Sequence, residues 1–564
     1  MSMLQKELRI LAVMLVPLTL TLSALAQRSR GPAPKPLSDQ EKQQAVADLE
    51  TLLNNTQAQG RVAAEHAADA ISVLDRASRA LPPEDLLDRL AQLRGYRSDA
   101  LLPTASRPLR RTDPLDRQLL TLELNALARS APDRVTAHPA ADAFPGQVPE
   151  QAEPVTREIE IVTDRPGWMN TGIYAHPNSP YWQSTGLYAI PGQPITVTVP
   201  DIAVDNGLSV RIGCHSDQLW HLDAWSRAPD ICSRRPIQAE VTQAVNAFGG
   251  LVYIETPRDW SAPAFQVTVS GAVPAPHYVH GVTPIDQWRQ SIRQLPAPWA
   301  ELQTDKVILT LPSEVVRDLD DPEQLMNFWD DIMDRYMELL GLPPERRRVE
   351  RFVSDLQISA GYMHSGYPLM TMLDITTTMV DIDRIRGNQH HGVWGLFHEV
   401  GHNHQHSDWT FAGTTEVTVN LFSLYLMDKI CGLPLGGHPS VTPQARTRSM
   451  RNYFAKGSPF DQWKSSPFLA LAMYMQMIER FGWEPFTQVF TEYRGLAEDE
   501  RPKSDDQKRD QWLIRFSRAV QHDLGPFFQA WGVPVSDAAR AAIADLPAWM
   551  PEDLPTAAAT SESS

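Results

Sequence analysis

The chain has 564 residues, 42% of them hydrophobic, with 15 tryptophans and only 3 cysteines. At about 150 residues per domain this makes roughly two to four globular domains, which excludes a disordered polymer and a disulfide-stapled mini-protein. A formal net charge of −17 excludes a nucleic-acid binder, which needs a basic face to displace phosphate counterions, and general adhesion to anionic membranes.

In chain order, Lys6 and Arg9 precede an apolar run, Ile10 to Leu22, that ends in Ser23-Ala24-Leu25-Ala26. That order of charged, apolar and small residues predicts a secretory signal peptide over 1–26, cleaved after Ala26. The run is short for a membrane span. The expectation is a secreted or periplasmic protein with no transmembrane helix in the mature chain. Residues 27–130 read as a small helical region. Ser38 and Glu41 fit a capping box, and leucines recur at helical spacing through Leu49, Leu53, Leu74, Leu86, Leu90 and Leu119. It carries no evident chemistry and suits a bundle or a spacer. Residues 131–155 hold Pro132, Pro139, Pro145, Pro149 and Pro154 and read as a linker.

From 156 to 283 the period changes to two. Ile159 and Ile161, then Ile195, Val197 and Val199, alternate with polar residues between Gly-Pro turn signals. This predicts a β-rich, sandwich-like subdomain. Helices dominate 284–551, with strands near Lys306–Leu311 and Asp355–Ser359 and an amphipathic helix from Leu325 to Leu340. The tail, 552–564, is small and polar and reads as disordered. The fold class is α+β. Cys214 and Cys232 are either a bridge or two free thiols, with Cys431 free; sequence alone leaves both open.

The chemistry concentrates in GLFHEVGHNHQHSDWTFAGTTEVTVNLFSLY, Gly395 to Tyr425. His398, Glu399 and His402 form H-E-x-x-H. Residues four apart lie one turn apart on a helix, so both imidazoles can reach one Zn²⁺. Glu399 sits about 100° around the helix from His398. There its carboxylate can take a proton from water as general base and pass it to a leaving amine. Trp394, Leu396, Phe397 and Val400 supply the apolar surface of a buried helix, and Gly401 leaves room beside the metal. A hydrolytic site needs a third protein ligand. Glu416, opening a second helical pattern, is the leading candidate. His404 and His406 are alternatives that follow His402 too closely to fold back easily. Asn420, one turn beyond Glu416, can hydrogen-bond a ligand histidine. A donor to the developing oxyanion is also required. His364, Tyr367 and Tyr425 are candidates, and none is singled out.

At these residues the chain resembles the enhancin-like, mucin-degrading zinc metallopeptidases, the gluzincin family sixty. HEVGHNHQ followed by TTEVTVNLFSLY looks like that family's zinc signature. STGLYAIPGQPITVTVP, VRIGCHSD, FGGLVYIE, PWAELQTDKVILTLPS, GYMHSGYP, FGWEPFTQVFTEY and QAWGVPVS are similar to further segments of it. The resemblance runs from about residue 156 to 550. It implies a β-rich subdomain followed by a mainly helical zincin (gluzincin) catalytic domain. It carries ligation of one Zn²⁺ onto His398, His402 and Glu416, and general base and acid duty onto Glu399. It implies a secreted endopeptidase acting on extracellular proteins, O-glycosylated mucin-like glycoproteins among them.

The alternative is an exported glycan- or surface-binding protein with a vestigial zinc site. An intact Glu399 speaks against it, because binding alone makes no demand on a base. Trp168, Tyr174, Tyr181, Trp182 and Tyr188 offer either a sugar-stacking platform or ordinary core packing, the commoner use. Arg346-Arg347-Arg348, set among glutamates, reads as a solvated loop.

Overall fold

The computed structural model describes residues 36–552 and Leu554. The expected signal peptide, 1–26, and nearly all of the 552–564 tail lie outside the described residues. Four helices come first: α1 (Asp39–Gln59), α2 (Ala67–Ala80), α3 (Pro83–Tyr96) and α4 (Pro114–Leu127). Ser38 caps α1, accepting from the Glu41 N–H while Glu41 takes the Ser38 N–H at 2.7 Å. Leu49, Leu53, Leu74, Leu90 and Leu119 close one small core. This bundle is anchored to the β-rich region. Leu120 and Leu124 on α4 enter a core shared with that region, and the Arg117 guanidinium lies 3.5 Å from the centre of the Trp225 ring.

The stretch 131–155, expected as a linker, is packed rather than free. Val135, Ala140, Ala141 and Phe144 are buried. Trp299 Nε1 donates to Pro145 O at 2.9 Å, and Tyr188 Oη to Gly146 O at 3.1 Å. The prolines stiffen the segment, and the apolar residues between them supply burial that a true linker lacks.

The β-rich region holds β1 (Val155–Ile161), β2 (Tyr181–Ala189), β3 (Ile195–Thr198), β4 (Ser209–Ile212), β5 (Ser233–Pro236), β6 (Val241–Ala244), β7 (Gly250–Thr256) and β8 (Phe265–Pro274). Its order is β5-β4-β7-β2-β8-β3-β6, with β1 also on β8. Strand β8 joins two layers: it pairs with β1 along most of its length, with β3 over Thr268–Ser270 and with β2 at its end. Ile161, Ile195, Val197, Val210, Val252 and Val267 from both layers share one core, the alternating residues facing inward. Cys214, Cys232 and Cys431 are free thiols.

A six-stranded mixed sheet comes next: β9 (His277–Val279), β10 (Trp299–Gln303), β11 (Val307–Pro312), β12 (Glu350–Asp355), β13 (Met363–His364) and β14 (Leu369–Met372), in the order β9-β10-β11-β12-β14-β13. Between β11 and β12 lies the long helix α5 (Pro322–Leu340). Strand β12 is parallel to both neighbours and buried throughout, as central parallel strands are. The sequence pattern places a strand about five residues later. Charges in Glu350-Arg351-Phe352-Val353-Ser354-Asp355 disguise this one. They tolerate burial because each is partnered. Arg351 meets Glu301, and Asp355 meets Arg227 at 2.6 Å with both side chains fully buried. Alternation sends Phe352 to the helical core and Val353 to the core shared with the β-rich region.

The remaining main helices are α6 (Val393–His404), α7 (Thr415–Lys429), α8 (Pro467–Phe481), α9 (Glu484–Arg494) and α10 (Asp505–Val520). Helix α7 packs against α5, α6 and α8 and is buried on all sides from Val417 to Met427, which is why it shows no amphipathic stripe. Among the described residues no helix is long and apolar enough to cross a membrane.

Candidate metal centre

Helix α6 carries His398, Glu399 and His402. Its apolar residues, Val393, Trp394, Leu396, Phe397 and Val400, are buried, and Tyr336 on α5 donates to Phe397 O at 2.7 Å. The chain leaves α6 at Gln405 and returns as α7, placing Glu416 in the first turn. A carboxylate is favoured at that positive helix end. A Cβ on Gly401 would lie 3.0 Å from Phe422 Cβ and 3.1 Å from Val419 Cγ2. Gly401 therefore makes room for α7, not beside the metal as the sequence suggested. The close crossing brings Glu416 to the histidines.

The Glu416 carboxylate lies 3.1 Å from His398 Nε2 and 3.5 Å from His402 Nε2. Donors at about 2.0–2.1 Å from a tetrahedral centre stand roughly 3.3–3.4 Å from one another, so this triad matches a zinc-sized cation. The far nitrogens agree. His398 Nδ1 lies 2.8 Å from Asn420 Oδ1, and His402 Nδ1 lies 3.1 Å from Gln405 Oε1. Amide oxygens only accept, so they hold a proton on Nδ1 and leave Nε2 as the nitrogen that faces Glu416 and that a cation would take. Asn420 is itself oriented, donating through Nδ2 to Glu416 O at 2.7 Å. Gln405 donates to Thr415 O at 2.7 Å, tying His402 to the start of α7.

Burial works against a charged His398, but the hydrogen bond to Glu416 and the Glu399 and Glu416 charges raise it to about 9. Burial likewise works to raise the Glu416 carboxyl, and hydrogen bonds from His398 and His402 hold it far below the usual range. A divalent cation would displace those protons.

Glu399 is half-buried. Its charge bears on His398, Tyr174, Tyr336 and His364, so it looks into the same space as the triad. Other candidates are engaged elsewhere. His404 accepts from Arg346 at 2.7 Å and donates to Val400 O. Burial and the Arg346 charge keep it neutral. His406 Nδ1 takes the Asp408 N–H. Tyr425 is buried against Trp483, with Glu338 and Asp428 as the carboxylates bearing on it. The Tyr367 hydroxyl accepts from Trp182 N at 3.3 Å. His364 pairs with Asp217 at 2.8 Å. Tyr181, Trp182 and Tyr188 are core residues. Arg346 and Arg348 are buried too, contrary to the solvated-loop reading. Arg348 reaches back to Ala175 O and His176 O. A second group, Asp374, His390 and His391, also gathers donor atoms. It is less suited to a metal, because Tyr362 already binds Asp374 and Gly392 N–H occupies His390 Nδ1.

Gln405 escapes sequence reasoning, because it carries no periodic signal. Tyr174, read from the sequence only as a sugar-stacking or core aromatic, lies more than 200 residues upstream, yet its ring stands edge-on to His402, centroids 5.0 Å apart. No local pattern links them.

Residues 271–532 match the family model of M60 peptidases, enhancin and enhancin-like, and residues 178–270 match that of the N-terminal domain of M60-like peptidases. The chain belongs to the enhancin-like M60 peptidase family. Its two matched parts meet at 270/271, within β8, rather than at 283/284 as the sequence texture suggested. The M60 fold is shared with solved structures. A functionally unknown conserved protein from Bacillus anthracis str. Ames is 22% identical, with a TM-score of 0.57 over 71% of this chain and 82% of that one. IMPa from Pseudomonas aeruginosa, solved in complex with an O-glycopeptide, is 16% identical with a TM-score of 0.57 over 86% and 63%. Among curated proteins, TRPM8 channel-associated factor 2 from Bos taurus is 40% identical over 401 residues, 70% of this chain and 42% of that protein. The M60 chain thus spans less than half the length of such relatives.

Proposed function

We propose that this chain is a zinc metalloendopeptidase that hydrolyses peptide bonds of extracellular glycoproteins. The observation that carries the reading is the His398, His402 and Glu416 triad, its two Nε2 atoms 3.1 and 3.5 Å from one carboxylate. These three residues would hold one Zn²⁺, which when bound polarises a carbonyl and makes water more acidic. Glu399 takes the proton from the attacking water and delivers it to the departing amine nitrogen. Asn420 and Gln405 fix the two imidazoles. Export through the Lys6–Ala26 segment belongs to the same reading. Support for a glycosylated substrate comes from IMPa, which shares the fold and was solved with an O-glycopeptide.

The test compares wild type with Glu399→Ala for zinc content and for cleavage of an O-glycosylated mucin and its deglycosylated form. The expected variant keeps zinc and loses activity by about 10²–10⁴-fold, the usual contribution of a general base. Cleavage of only the glycosylated form supports the glycoprotein substrate. Equal cleavage of both removes the sugar requirement. The 40% identity to TRPM8 channel-associated factor 2 favours one second reading, a protein-binding role. Wild type that binds zinc yet cleaves neither form would shift the assignment there.

A further inference from the structure

The segment between β1 and β2 is strapped to the catalytic part on both sides of Tyr174. Trp168 N donates to Glu345 O at 2.9 Å, and Arg347 N to Trp168 O at 3.0 Å. Asn170 Nδ2 donates to Glu350 Oε1 at 2.6 Å, and Asn403 of helix α6 takes the other oxygen of that carboxylate at 2.9 Å. A Cβ on Gly172 would fall 1.8 Å from Asn403 O, so backbone meets backbone there and no other residue fits. Ile173 N donates to O of Gln405, the residue that orients His402. Arg348 then holds Ala175 O and His176 O. Tyr174 sits in the middle of these straps with its ring on His402. Its hydroxyl has no protein partner among the described residues, and the carboxylates bearing on it are those of Glu416 and Glu399.

Resting on the peptidase reading, we infer that Tyr174 is a catalytic residue of this site, contributed by the β-rich region. Its phenol donates a hydrogen bond to the carbonyl oxygen of the bond being hydrolysed. That bond strengthens as the oxygen gains negative charge, so it acts on the transition state more than on the bound substrate. The rival groups are held elsewhere. His364 has Asp217 on Nε2 and Ser365 O on Nδ1. The Tyr367 hydroxyl is turned to the β2 backbone, where it accepts from Trp182 N, and Tyr425 is buried against Trp483 beside Glu338. Tyr174 also lies just ahead of residue 178, outside both matched family ranges.

The experiment uses the full chain, wild type beside Tyr174→Phe and Tyr174→Ala. It measures zinc content, thermal midpoint, and kcat and KM on an O-glycosylated peptide that wild type cleaves. It also measures calorimetric affinity for a phosphinic peptide, whose phosphinyl oxygen stands in for the developing oxyanion. Tyr174→Phe keeps the ring against His402. It is expected to retain zinc and midpoint, to lose kcat by about 10²–10³-fold with KM within about twofold, and to bind the phosphinic peptide weaker by a similar factor. Wild-type kcat in Tyr174→Phe overturns the role and leaves the peptidase reading standing. Loss of zinc or a lowered midpoint in Tyr174→Phe also overturns it, making Tyr174 a structural residue. A wild type that binds zinc but cleaves nothing overturns the peptidase reading, and this role with it.

Discussion

Asn420 shows how one side chain can orient a proposed metal ligand it never replaces. Its oxygen accepts from His398 Nδ1 at 2.8 Å and from Trp394 Nε1 at 3.2 Å, and its amide is fixed on Glu416 O. The tautomer of His398 therefore depends on a residue one turn beyond Glu416. Asn420→Ala removes the acceptor and leaves two buried donors unpaired. It is expected to weaken zinc affinity by about 10–100-fold, read by competition with a chelator. The orphaned donors should also cost about 1–3 kcal/mol each at most in denaturant unfolding. Asn420→Asp keeps an acceptor of the same shape and should retain most of the affinity. Equal affinities in wild type and Asn420→Ala would show that His398 orients itself. The local part of the site was legible because His398, Glu399 and His402 share one helix, whose period places them without further knowledge. Tyr174 was not, since its place depends on backbone straps between segments far apart in sequence.

At the scale of elements, the site is a crossing of two helices, and Gly401 sets its closeness. α6 reads as a helix from its apolar spacing, and α7 from its long buried run. Their separation, however, is written in one missing side chain. Gly401→Val would drive branched carbons into Phe422 and Val419, both within about a methyl's reach. Overpacking of this kind costs about 1–3 kcal/mol. The same displacement carries Glu416 away from His398 and His402, so zinc affinity should fall together with the unfolding midpoint. A lowered midpoint with unchanged zinc affinity would mean that α7 rotates to absorb the strain. Strand β12 gives the opposite lesson in legibility. Its apolar content is too low to stand out, because three of its six residues are charged, Arg351 and Asp355 buried in ion pairs and Glu350 on the amides of Asn170 and Asn403. A run such as Arg346-Arg347-Arg348 misleads for the same reason. Charge predicts exposure only when the fold provides no partner, and here His404 and the carbonyls of residues 175 and 176 are the partners.

At the scale of the whole molecule, the β-rich region must stay seated on the helical part, since the proposed site draws on both. One clasp is fully buried: Arg227 on Asp355. A second responds to pH. Asp217, between β4 and β5, meets His364 of β13 at 2.8 Å and takes the Ser359 N–H at 2.6 Å. Burial works against both charges, and their mutual hydrogen bond and attraction outweigh it. The Asp217 carboxyl is held below its ordinary value and the His364 imidazole above. A depressed carboxyl contributes stability above its unfolded pKa of about 3.9, lost as pH falls through the lower folded value. A raised histidine contributes stability below its unfolded pKa of about 6.5, lost as pH rises through the higher folded value. Both contributions are therefore complete between about pH 4 and 6.5. His364→Gln should lower the thermal midpoint most in that interval, and the gap to wild type should narrow as pH rises past neutrality. Other groups do not mimic this pattern, because the difference between the two proteins removes whatever they share. A gap that stays constant from pH 5 to 9 would mean that His364 acts by shape and neutral hydrogen bonding alone. The clasp would then hold the two parts together without sensing pH.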